Sequence, residues 1–287
     1  MVRPRILERG DEAAIDAFCH RFPNSTMFLQ ANLREHGLAG SPEPVASVWV
    51  GVEDDAGMLV GVMAHDGQER LVLELPTGLA DAVRLCVEMS RRPVSGILGP
   101  RAQVVAARTA LGGDDWPVRL DSRELLFALR LRDLRMPGMV ERDEITARRA
   151  TFDDMELLFA WRTAYEQELG GFRPSLQAAE ARRRRLERGI AQGRVFLLHD
   201  YEQGLAMAAF NAVLPNCVQI GGVFTPPELR SQGFARAVVA GALREARYEG
   251  VARSVLFTAE GNVPAQLAYR KIGYEEVGDY GITVFDR

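Results

Sequence analysis

Strand, loop and helix signals meet in one stretch, which reads Val223-Phe-Thr-Pro-Pro-Glu-Leu-Arg-Ser-Gln-Gly-Phe-Ala-Arg236. An apolar run ends at Thr225, Pro226-Pro227 interrupt it, and small residues at Gly233 and Ala235 open a helical pattern. Small residues let backbone amides approach a ligand closely, and the start of a helix leaves unpaired N–H groups with a partial positive charge. The stretch therefore predicts a strand, a phosphate-binding loop and a helix.

The loop differs from two well-known phosphate-binding patterns, because no Gly-Lys-Ser/Thr follows and no GxGxxG is present. Its own pattern is Arg230-x-x-Gly233-x-Ala235. After the next predicted strand, a second pattern reads Asn262-x-x-Ala265-x-x-x-Tyr269-x-x-x-Gly273-Tyr274. Either pattern alone is a weak indication of function, whereas the two patterns together are specific.

The second half of the chain predicts two helices, three strands, and then helix, strand, helix and strand. Thr151 and Asp154 form an approximate capping box at the first helix, which Gly170-Gly171 ends. Turn pairs between the three strands predict an antiparallel meander. The predicted ranges are 151–169, 175–188, 195–199, 205–213, 218–224, 233–249, 254–258, 264–271 and 282–285.

The first half repeats this order of elements, which predicts two tandem copies of one α/β fold with a mixed sheet, each of roughly 140 residues. The domains are expected at 1–140 and 145–287, with a linker near 137–143. The predicted ranges in the first half are 12–21, 29–36, 48–52, 59–64, 71–75, 79–90, 94–98, 101–111 and 125–131.

Residues 145–287 resemble the GCN5-related N-acetyltransferase (GNAT) family in element order and in both patterns. The resemblance implies two acyl-CoA N-acyltransferase-like domains and a cleft between two parallel strands, 218–225 and 254–258, that part to bind acetyl-CoA. It also implies a set of residues that bind acetyl-CoA through the strand backbone, the loop amides and the last helix. These residues are Val223, Phe224, Thr225, Arg230, Ser231, Gln232, Gly233, Phe234, Ala235, Arg236, Asn262, Ala265 and Tyr269.

Acetyl transfer needs a neutral amine, a polarised thioester carbonyl and a proton for the departing thiolate. By the resemblance, the backbone N–H of Val223 is the oxyanion donor, and such a donor contributes about 3 kcal/mol. Tyr269 is placed near the sulfur and shares or donates a proton. The alternative for Tyr269 is a core residue with a solvated hydroxyl.

Three acidic residues are candidates near the acceptor amine. Glu260 follows Thr258 with strand alternation and is the predicted base, whereas Glu166 and Glu168 end the first helix, where the family binds its acceptor. Each is alternatively a surface acid, and a water relay can replace all three. His199 is expected to be a structural histidine.

The first half lacks these patterns. At the position of the loop it reads Leu75-Pro-Thr-Gly-Leu-Ala-Asp81, with one glycine, no arginine and an acidic residue near the helix start. The counterpart of the second pattern, which begins Leu98-Gly-Pro-Arg-Ala-Gln103, continues to Leu111-Gly112 without the tyrosine. The first half is therefore expected to be a degenerate copy that shapes the acceptor site or covers a sheet edge.

Composition narrows the function further. The 287 residues are 47% hydrophobic and 26% charged, with a net charge of −4, which argues against nucleic-acid binding by bulk electrostatics. No apolar run is long enough to cross a membrane, and no signal peptide is recognised, so a cytoplasmic location is expected. Three scattered cysteines support neither a disulfide framework nor a zinc site, so no metal is expected. The arginine run 182–185 is expected to be a solvated helix face.

The leading interpretation is an N-acetyltransferase that moves the acetyl group of acetyl-CoA to a primary amine of a small molecule or peptide, as a monomer or homodimer. Two alternatives remain: an acyl-CoA-binding sensor without catalysis, and a transferase of another acyl or aminoacyl group.

Overall fold

The structure is a computed structural model that describes residues 2–38, 47–141, 145–169, 175–201 and 203–286. The chain divides into two compact units. Unit 1 consists of Met1–Leu126 with Gly278–Arg287, and unit 2 consists of Phe127–Val277. The predicted domains, 1–140 and 145–287, do not coincide with these units and remain a prediction about two copies of a fold. The predicted linker lies partly outside the described residues.

Unit 1 contains the helices and strands predicted for the first half, with small shifts at their ends. The largest difference is the last strand, which begins at Val118 rather than at Leu125. The elements are β1 (Arg3–Ile6), α1 (Glu12–Arg21), α2 (Met27–His36), β2 (Val48–Glu53), β3 (Leu59–His65), β4 (Arg70–Glu74), α3 (Leu79–Ser90), β5 (Gly96–Gly99), α4 (Arg101–Ala110) and β6 (Val118–Arg130), of which the last residues belong to unit 2.

The sheet of unit 1 is mixed. Strands β1 to β4 are antiparallel neighbours in chain order, and β4 is parallel to β5. The other side of β5 pairs with the end of the chain, because Gly281–Val284 run antiparallel to Gly96–Gly99. The last strand in the sequence therefore belongs to the sheet of the first unit, although it was predicted to close the second copy.

From α6 onward, unit 2 follows the order predicted for the second half, but the helix α5 and the strand β7 before it were not predicted. Its last strand starts at Glu275, earlier than the predicted position 282. The elements are α5 (Gly138–Glu141), β7 (Thr146–Arg149), α6 (Met155–Glu168), α7 (Leu176–Ala191), β8 (Val195–His199), β9 (Gly204–Leu214), β10 (Cys217–Phe224), α8 (Phe234–Tyr248), β11 (Arg253–Ala259), α9 (Val263–Lys271) and β12 (Glu275–Phe285), which ends in unit 1.

The sheet of unit 2 has the strand order β11-β10-β9-β8-β7. The three central strands form the predicted antiparallel meander, and β10 pairs in parallel with β11. Helix α8 connects these parallel strands. The predicted strand, loop and helix around Gly233 are thus confirmed as the start of a parallel crossover connection.

Helix α6 begins as the sequence indicates. The side chain of Asp154 accepts a hydrogen bond from the Thr151 backbone N–H at 2.8 Å and completes the predicted capping box, which leads through a short 3-10 turn into the helix. Leu158 is fully buried on the inner face of α6. The predicted stop at Gly170-Gly171 lies outside the described residues.

The arginine run on α7 is only partly a solvated face. Arg184 and Arg185 are exposed, as expected, but Arg182 is 6% exposed. Its position on α7 places it in the row of buried residues that includes Leu186 and Ile190. The prediction is therefore wrong for Arg182, because helical periodicity turns this residue inward while a carboxylate from α6 neutralises it.

Helix α8 packs closely against the sheet. Eight of its residues are buried, and they include Gly241. A β-carbon at this glycine would lie 2.2 Å from the Cβ of Ala147 on β7, far closer than two carbon atoms approach. Gly241 therefore sets the distance between the helix and the sheet of unit 2.

No helix in the described part of the chain is long and apolar enough to span a membrane. The three cysteines, Cys19, Cys86 and Cys217, are free and buried. Burial raises the pKa of the Cys217 thiol to about 11, so it remains protonated near neutral pH.

Replacement of Gly241 tests this packing. We expect Gly241→Val to lower the free energy of unfolding by about 1–3 kcal/mol, because the added carbons overlap Ala147 and the helix must shift. The matched control is Gly261→Val, since a β-carbon at Gly261 meets nothing within 4 Å. The midpoint temperature of thermal unfolding measures both changes, and we expect a shift of about 2–4 °C for each kcal/mol. Equal midpoints for the two variants would contradict the close packing of α8.

Candidate active site

The centre of the candidate site is the place where β10 and β11 separate. Their parallel register joins Cys217–Gln219 to Arg253–Val255. Beyond these paired residues, β10 continues to Phe224 and β11 continues to Ala259. Within residues 203–286, the two strands do not pair with each other again. The unpaired ends leave backbone groups of two neighbouring strands available to an extended ligand.

A bulge in β10 accentuates this separation. Gly221 pairs with Ala209 of β9 and Phe224 pairs with Met207, so that Gly222 and Val223 lie between two registers. Gly222 has φ +58°, a conformation that glycine adopts without steric cost. The bulge lies at Val223, the predicted oxyanion donor.

The loop after β10 leads directly into the N-terminus of α8. Ser231 and Gly233 both have positive φ, +66° and +89°, and Gly233 is the N-cap without a side-chain cap. The first-turn amides therefore have no capping side chain, and the helix dipole adds partial positive charge there. The turn comprises the predicted residues Phe234, Ala235 and Arg236, while Ser231 and Gln232 are exposed ahead of it.

Two buried polar atoms near this turn have no hydrogen-bond partner among the described residues. They are the Oγ1 atom of Thr225, at the end of β10, and the Nε atom of Arg236, in the first turn of α8. Arg236 also lies beside the N-cap, since a β-carbon at Gly233 would be 3.0 Å from this Nε. Buried polar groups are nearly always paired, so these two atoms are candidates for contact with a ligand.

Arg230 stabilises the loop itself. Its Nε donates to the Thr225 carbonyl at 3.1 Å, and its Nη2 lies 2.5 Å from Glu168 Oε1. The guanidinium also lies 5.8 Å from the ring centroid of Phe224. Arg230 and Glu168 thus form one ion pair, and Glu168 contacts the predicted cofactor loop.

The start of α9 carries the second sequence pattern. The side chain of Asn262 accepts a hydrogen bond from the Ala265 backbone N–H at 3.3 Å and caps the helix. Both residues therefore lie in the first turn of α9, immediately after β11. Asn262 has a local structural role besides the one that the pattern predicts.

Tyr269 is buried on α9, with 7% of its surface exposed. Its ring contacts that of Tyr274 in a T-shaped arrangement with centroids 6.0 Å apart, and the hydroxyl of Tyr274 lies 2.6 Å from Ser254 Oγ. Burial raises the pKa of Tyr269, and the nearby Tyr165 raises it further. The phenol is therefore a stable hydrogen-bond donor and a reluctant acid.

The remaining predicted acids differ in their surroundings. Glu166 accepts from Arg162 Nε at 3.2 Å and from Arg182 Nε at 2.9 Å, so both of its oxygens are engaged. Glu260 is exposed just after β11, and its backbone carbonyl accepts from Gln266 Nε2 at 2.7 Å. Glu166 and Glu168 are thus each paired with arginine. The Nδ1 of His199 donates to the Asp200 backbone carbonyl at 2.9 Å, which agrees with a structural role.

Two residues near the bulge were missed by sequence reasoning. A β-carbon at Gly222 would lie 2.7 Å from Arg162 Nη1, and one at Gly221 would overlap the side-chain amide of Asn211. Both polar side chains therefore lie directly over the two glycines. The signal in the sequence was the Gly221-Gly222 pair inside a strand, which marks a bulge or a close approach.

The corresponding place in unit 1 is occupied by its own side chains. The Gln103 amide donates to Glu74 Oε1 at 2.9 Å and accepts from the Leu75 backbone N–H at 2.5 Å. The hydroxyl of Ser25 donates to the same carboxylate. Burial raises the pKa of Glu74, while these two side-chain hydrogen bonds act in the opposite direction. The polar groups that follow β4 are thus satisfied within unit 1.

No cluster of three or more potential metal ligands (His, Cys, Asp or Glu) occurs among the residues that the structure describes.

Comparison with known proteins identifies the segment that carries this site. Residues 157–274 match the acetyltransferase (GNAT) family. The match runs from α6 through the loop before α8 to Tyr274, and so includes both sequence patterns. No curated protein matches the chain significantly.

Solved structures share the fold over nearly the whole chain. A Drosophila protein has a TM-score of 0.68 and 12% identity, with 98% of each chain covered. A GCN5-related N-acetyltransferase from Kribbella flavida has a TM-score of 0.58 and 19% identity, over 91% of this chain and 94% of that one. A tandem GNAT protein from the clavulanic acid biosynthesis pathway has a TM-score of 0.55 and 14% identity, over 99% and 98%. These similarities confirm the predicted fold class.

The two-arginine environment of Glu166 generates a test. We expect Glu166→Gln to lower the free energy of unfolding by about 1–3 kcal/mol, because buried Arg182 loses its charged partner. The matched control is Glu180→Gln on α7, whose partner Arg184 is exposed, with an expected change within about 0.5 kcal/mol. Chemical denaturation compares the two variants. A loss at Glu166 no larger than that at Glu180 would show that the pair is not structural.

Proposed function

We propose that this chain is an acyltransferase that transfers the acetyl group of acetyl-CoA to a primary amine, since residues 157–274, which carry the candidate site, match the acetyltransferase (GNAT) family. One observation carries the proposal. The separated ends of β10 and β11 are followed by an uncapped helix N-terminus, and two buried polar atoms, Thr225 Oγ1 after β10 and Arg236 Nε in the first turn of α8, have no partner among the described residues. An extended ligand that ends in phosphates fits both features.

Acetyl-CoA is proposed to bind along the loop and the strand end. The amides from Ser231 to Arg236 and the dipole of α8 would hold the pyrophosphate, with Gly233 permitting close approach. The backbone of Val223, Phe224 and Thr225 would pair with the pantetheine arm, and Asn262 and Ala265 would flank it. Arg230 would act indirectly, since it is paired with Glu168 and orders the loop.

The proposed reaction is direct attack in a ternary complex. The amine nitrogen forms a bond to the thioester carbon, and the carbonyl oxygen becomes an oxyanion that the Val223 N–H stabilises. The carbon–sulfur bond then breaks, the thiolate leaves, and the nitrogen releases its proton. The bulge at Gly222 matters here because it frees Val223 from the ladder to β9.

Tyr269 is proposed to donate a hydrogen bond to the departing sulfur. A free thiol has a pKa of about 8.5, whereas burial raises the pKa of Tyr269 above its ordinary value. Complete proton transfer from this phenol to the thiolate is therefore uphill, and a hydrogen bond is the smaller and more favourable step. The released proton of the amine or solvent can then neutralise the thiolate.

The base that receives the amine proton is proposed to be water with Glu260. The oxygens of Glu166 accept from two arginines, and Glu168 is paired with Arg230, so these two acids serve in positioning. Glu260 lies at the end of β11, one of the two strands that separate. Exposure of this carboxylate suits exchange of the proton with solvent.

Unit 1 is proposed not to bind acetyl-CoA. Its equivalent strand end is followed by Leu75, whose N–H already donates to Gln103, and by a helix start that lacks the arginine of the loop pattern. A single acetyl-CoA per chain is therefore expected.

Cofactor binding is tested at the N-cap of α8. We expect Gly233→Asp to reduce acetyl-CoA affinity by at least about 100-fold, since a side chain and a negative charge would face the pyrophosphate. Gly250→Asp is the matched control, because Gly250 has the same φ, +89°, at the other end of the same helix. Calorimetric titration with acetyl-CoA measures both folded variants. Equal loss of affinity would mean that backbone strain, not the loop, explains the result.

The hydrogen bond to sulfur is tested with Tyr269→Phe. We expect kcat to fall by about 10- to 100-fold while the acetyl-CoA dissociation constant changes little, because the ring and the phosphate contacts remain. The pH profile should keep its shape, since a phenol with a raised pKa stays protonated through the assay range. Tyr274→Phe is the control, because its hydroxyl bonds Ser254 and should affect stability only. An unchanged kcat with rate-limiting chemistry would remove Tyr269 from the mechanism and favour an acyl-CoA sensor.

A further inference from the structure

Two polar side chains cover the bulge of β10 on the face that α6 occupies. Gly221 pairs with Ala209, which packs against the α6 cluster, so both glycines face α6. Asn211 lies over Gly221, and Arg162 Nη1 lies over Gly222. Any side chain larger than hydrogen at either position would displace one of these groups. The side-chain amide of Asn211 and the guanidinium of Arg162 therefore lie over the two residues that precede Val223 in β10.

Only one of the three guanidinium nitrogens of Arg162 donates a hydrogen bond within the described residues. Its Nε donates to Glu166 at 3.2 Å, and its guanidinium stacks 5.5 Å from the ring centroid of Tyr165. Its two Nη atoms have no hydrogen-bond partner in the portion of the chain that the structure describes, and the same holds for the side-chain amide of Asn211. The side chain of Arg162 is only 23% exposed, so its Nη donors are partly removed from water, whereas Asn211 is exposed.

Among the described residues, Arg162 shares its carboxylate partner with a second arginine. Glu166 accepts from both Arg162 and the buried Arg182, so its single negative charge is divided between two guanidinium groups. The neighbouring pair of Glu168 and Arg230 is neutral. Aromatic contacts, such as Tyr165 with Phe224 at 6.5 Å between ring centroids, border the same place and reduce solvation. A partly desolvated positive charge favours an anionic partner.

We propose that the acceptor amine carries a carboxylate, and that this carboxylate binds the Nη atoms of Arg162 with the amide of Asn211 beside it. Two parallel N–H donors of a guanidinium match the two oxygens of a carboxylate. The inference rests on the proposed function, because it names the acceptor of that reaction as an amino acid or a related amino carboxylate. Binding there holds the molecule next to Val223, where its amine can reach the acetyl carbon.

Arg162 is a binding residue in this proposal, whereas Glu166 positions it. The carboxylate of Glu166 takes the Nε donor and thereby directs the Nη donors over Gly222. Arg182, which is held on the far oxygen of Glu166, keeps this carboxylate from neutralising Arg162 completely. The acidic residue that was predicted to bind the acceptor thus acts on it through an arginine.

The experiment compares acceptors that differ only in the carboxylate. The probes are L-alanine, L-leucine, L-phenylalanine and L-glutamine, each against its own α-carboxamide, with release of the CoA thiol as the assay. We expect kcat/KM to favour at least one amino acid over its amide by about 10- to 100-fold, the effect of one charge-assisted hydrogen-bonded pair. Arg162→Gln should abolish this preference by raising KM, and Arg162→Lys should restore part of it.

A control variant and a binding measurement test whether the preference for the carboxylate depends on Arg162. Arg184→Gln removes an exposed arginine of the same unit and should keep the preference. In parallel, calorimetry measures binding of the N-acetyl derivatives of the four amino acids, and of their amides, to the enzyme saturated with CoA. The carboxylates should bind more tightly than the amides, and only to proteins that retain Arg162.

Failure of the inference is distinct from failure of the proposed function. Amides that react and bind as well as the amino acids, or a preference that survives Arg162→Gln, would overturn the carboxylate site while the transferase remains. Acetyl-CoA binding without turnover of any probe would count against the proposed reaction on these amines, and the calorimetric comparison would then decide the carboxylate site alone. Absence of binding by every carboxylate would overturn it.

Discussion

The candidate site depends on the point at which β10 and β11 stop pairing. Three positions hold the strands together, and beyond Gln219 and Val255 they continue separately. A parallel pair that remained closed would satisfy its backbone groups internally and leave none for a ligand. The bulge at Gly222 acts on the other side of β10, where it interrupts the ladder to β9. Both sides of the strand end are thereby released together.

The loop before α8 is placed by the same strand end. Arg230 bonds the Thr225 carbonyl and Glu168, so the loop is attached to both β10 and α6 before it reaches the helix N-terminus. This attachment uses one charge of each sign and leaves the dipole of α8 as the local source of positive potential. The proposed binding of phosphate at this turn is compatible with the negative net charge of the protein, since the field at the turn is local.

The two units share one arrangement of strands but differ in how the buried polar groups at the strand ends are hydrogen-bonded. In unit 1, Gln103 and Ser25 satisfy the buried Glu74, and the Leu75 N–H is satisfied as well. In unit 2, the groups at the equivalent place include Thr225 and Arg236, which keep unsatisfied buried atoms. A complete hydrogen-bond network stabilises a fold, whereas the unpaired atoms of Thr225 and Arg236 are those that the proposed acetyl-CoA would satisfy.

The sequence by itself determined the order and type of nearly all elements, because periodicity, capping at Thr151 and the turn residues are local signals. It also predicted the loop that leads into α8, since a glycine just before a helical pattern is a local signal for the start of a helix. Several features required the tertiary structure. Pairing of Gly281–Val284 with β5, burial of Arg182 against Glu166, and the contact of Arg162 with the Gly222 bulge all join residues distant in sequence. Such contacts are decided by which faces pack together, and local patterns contain no information about a distant partner.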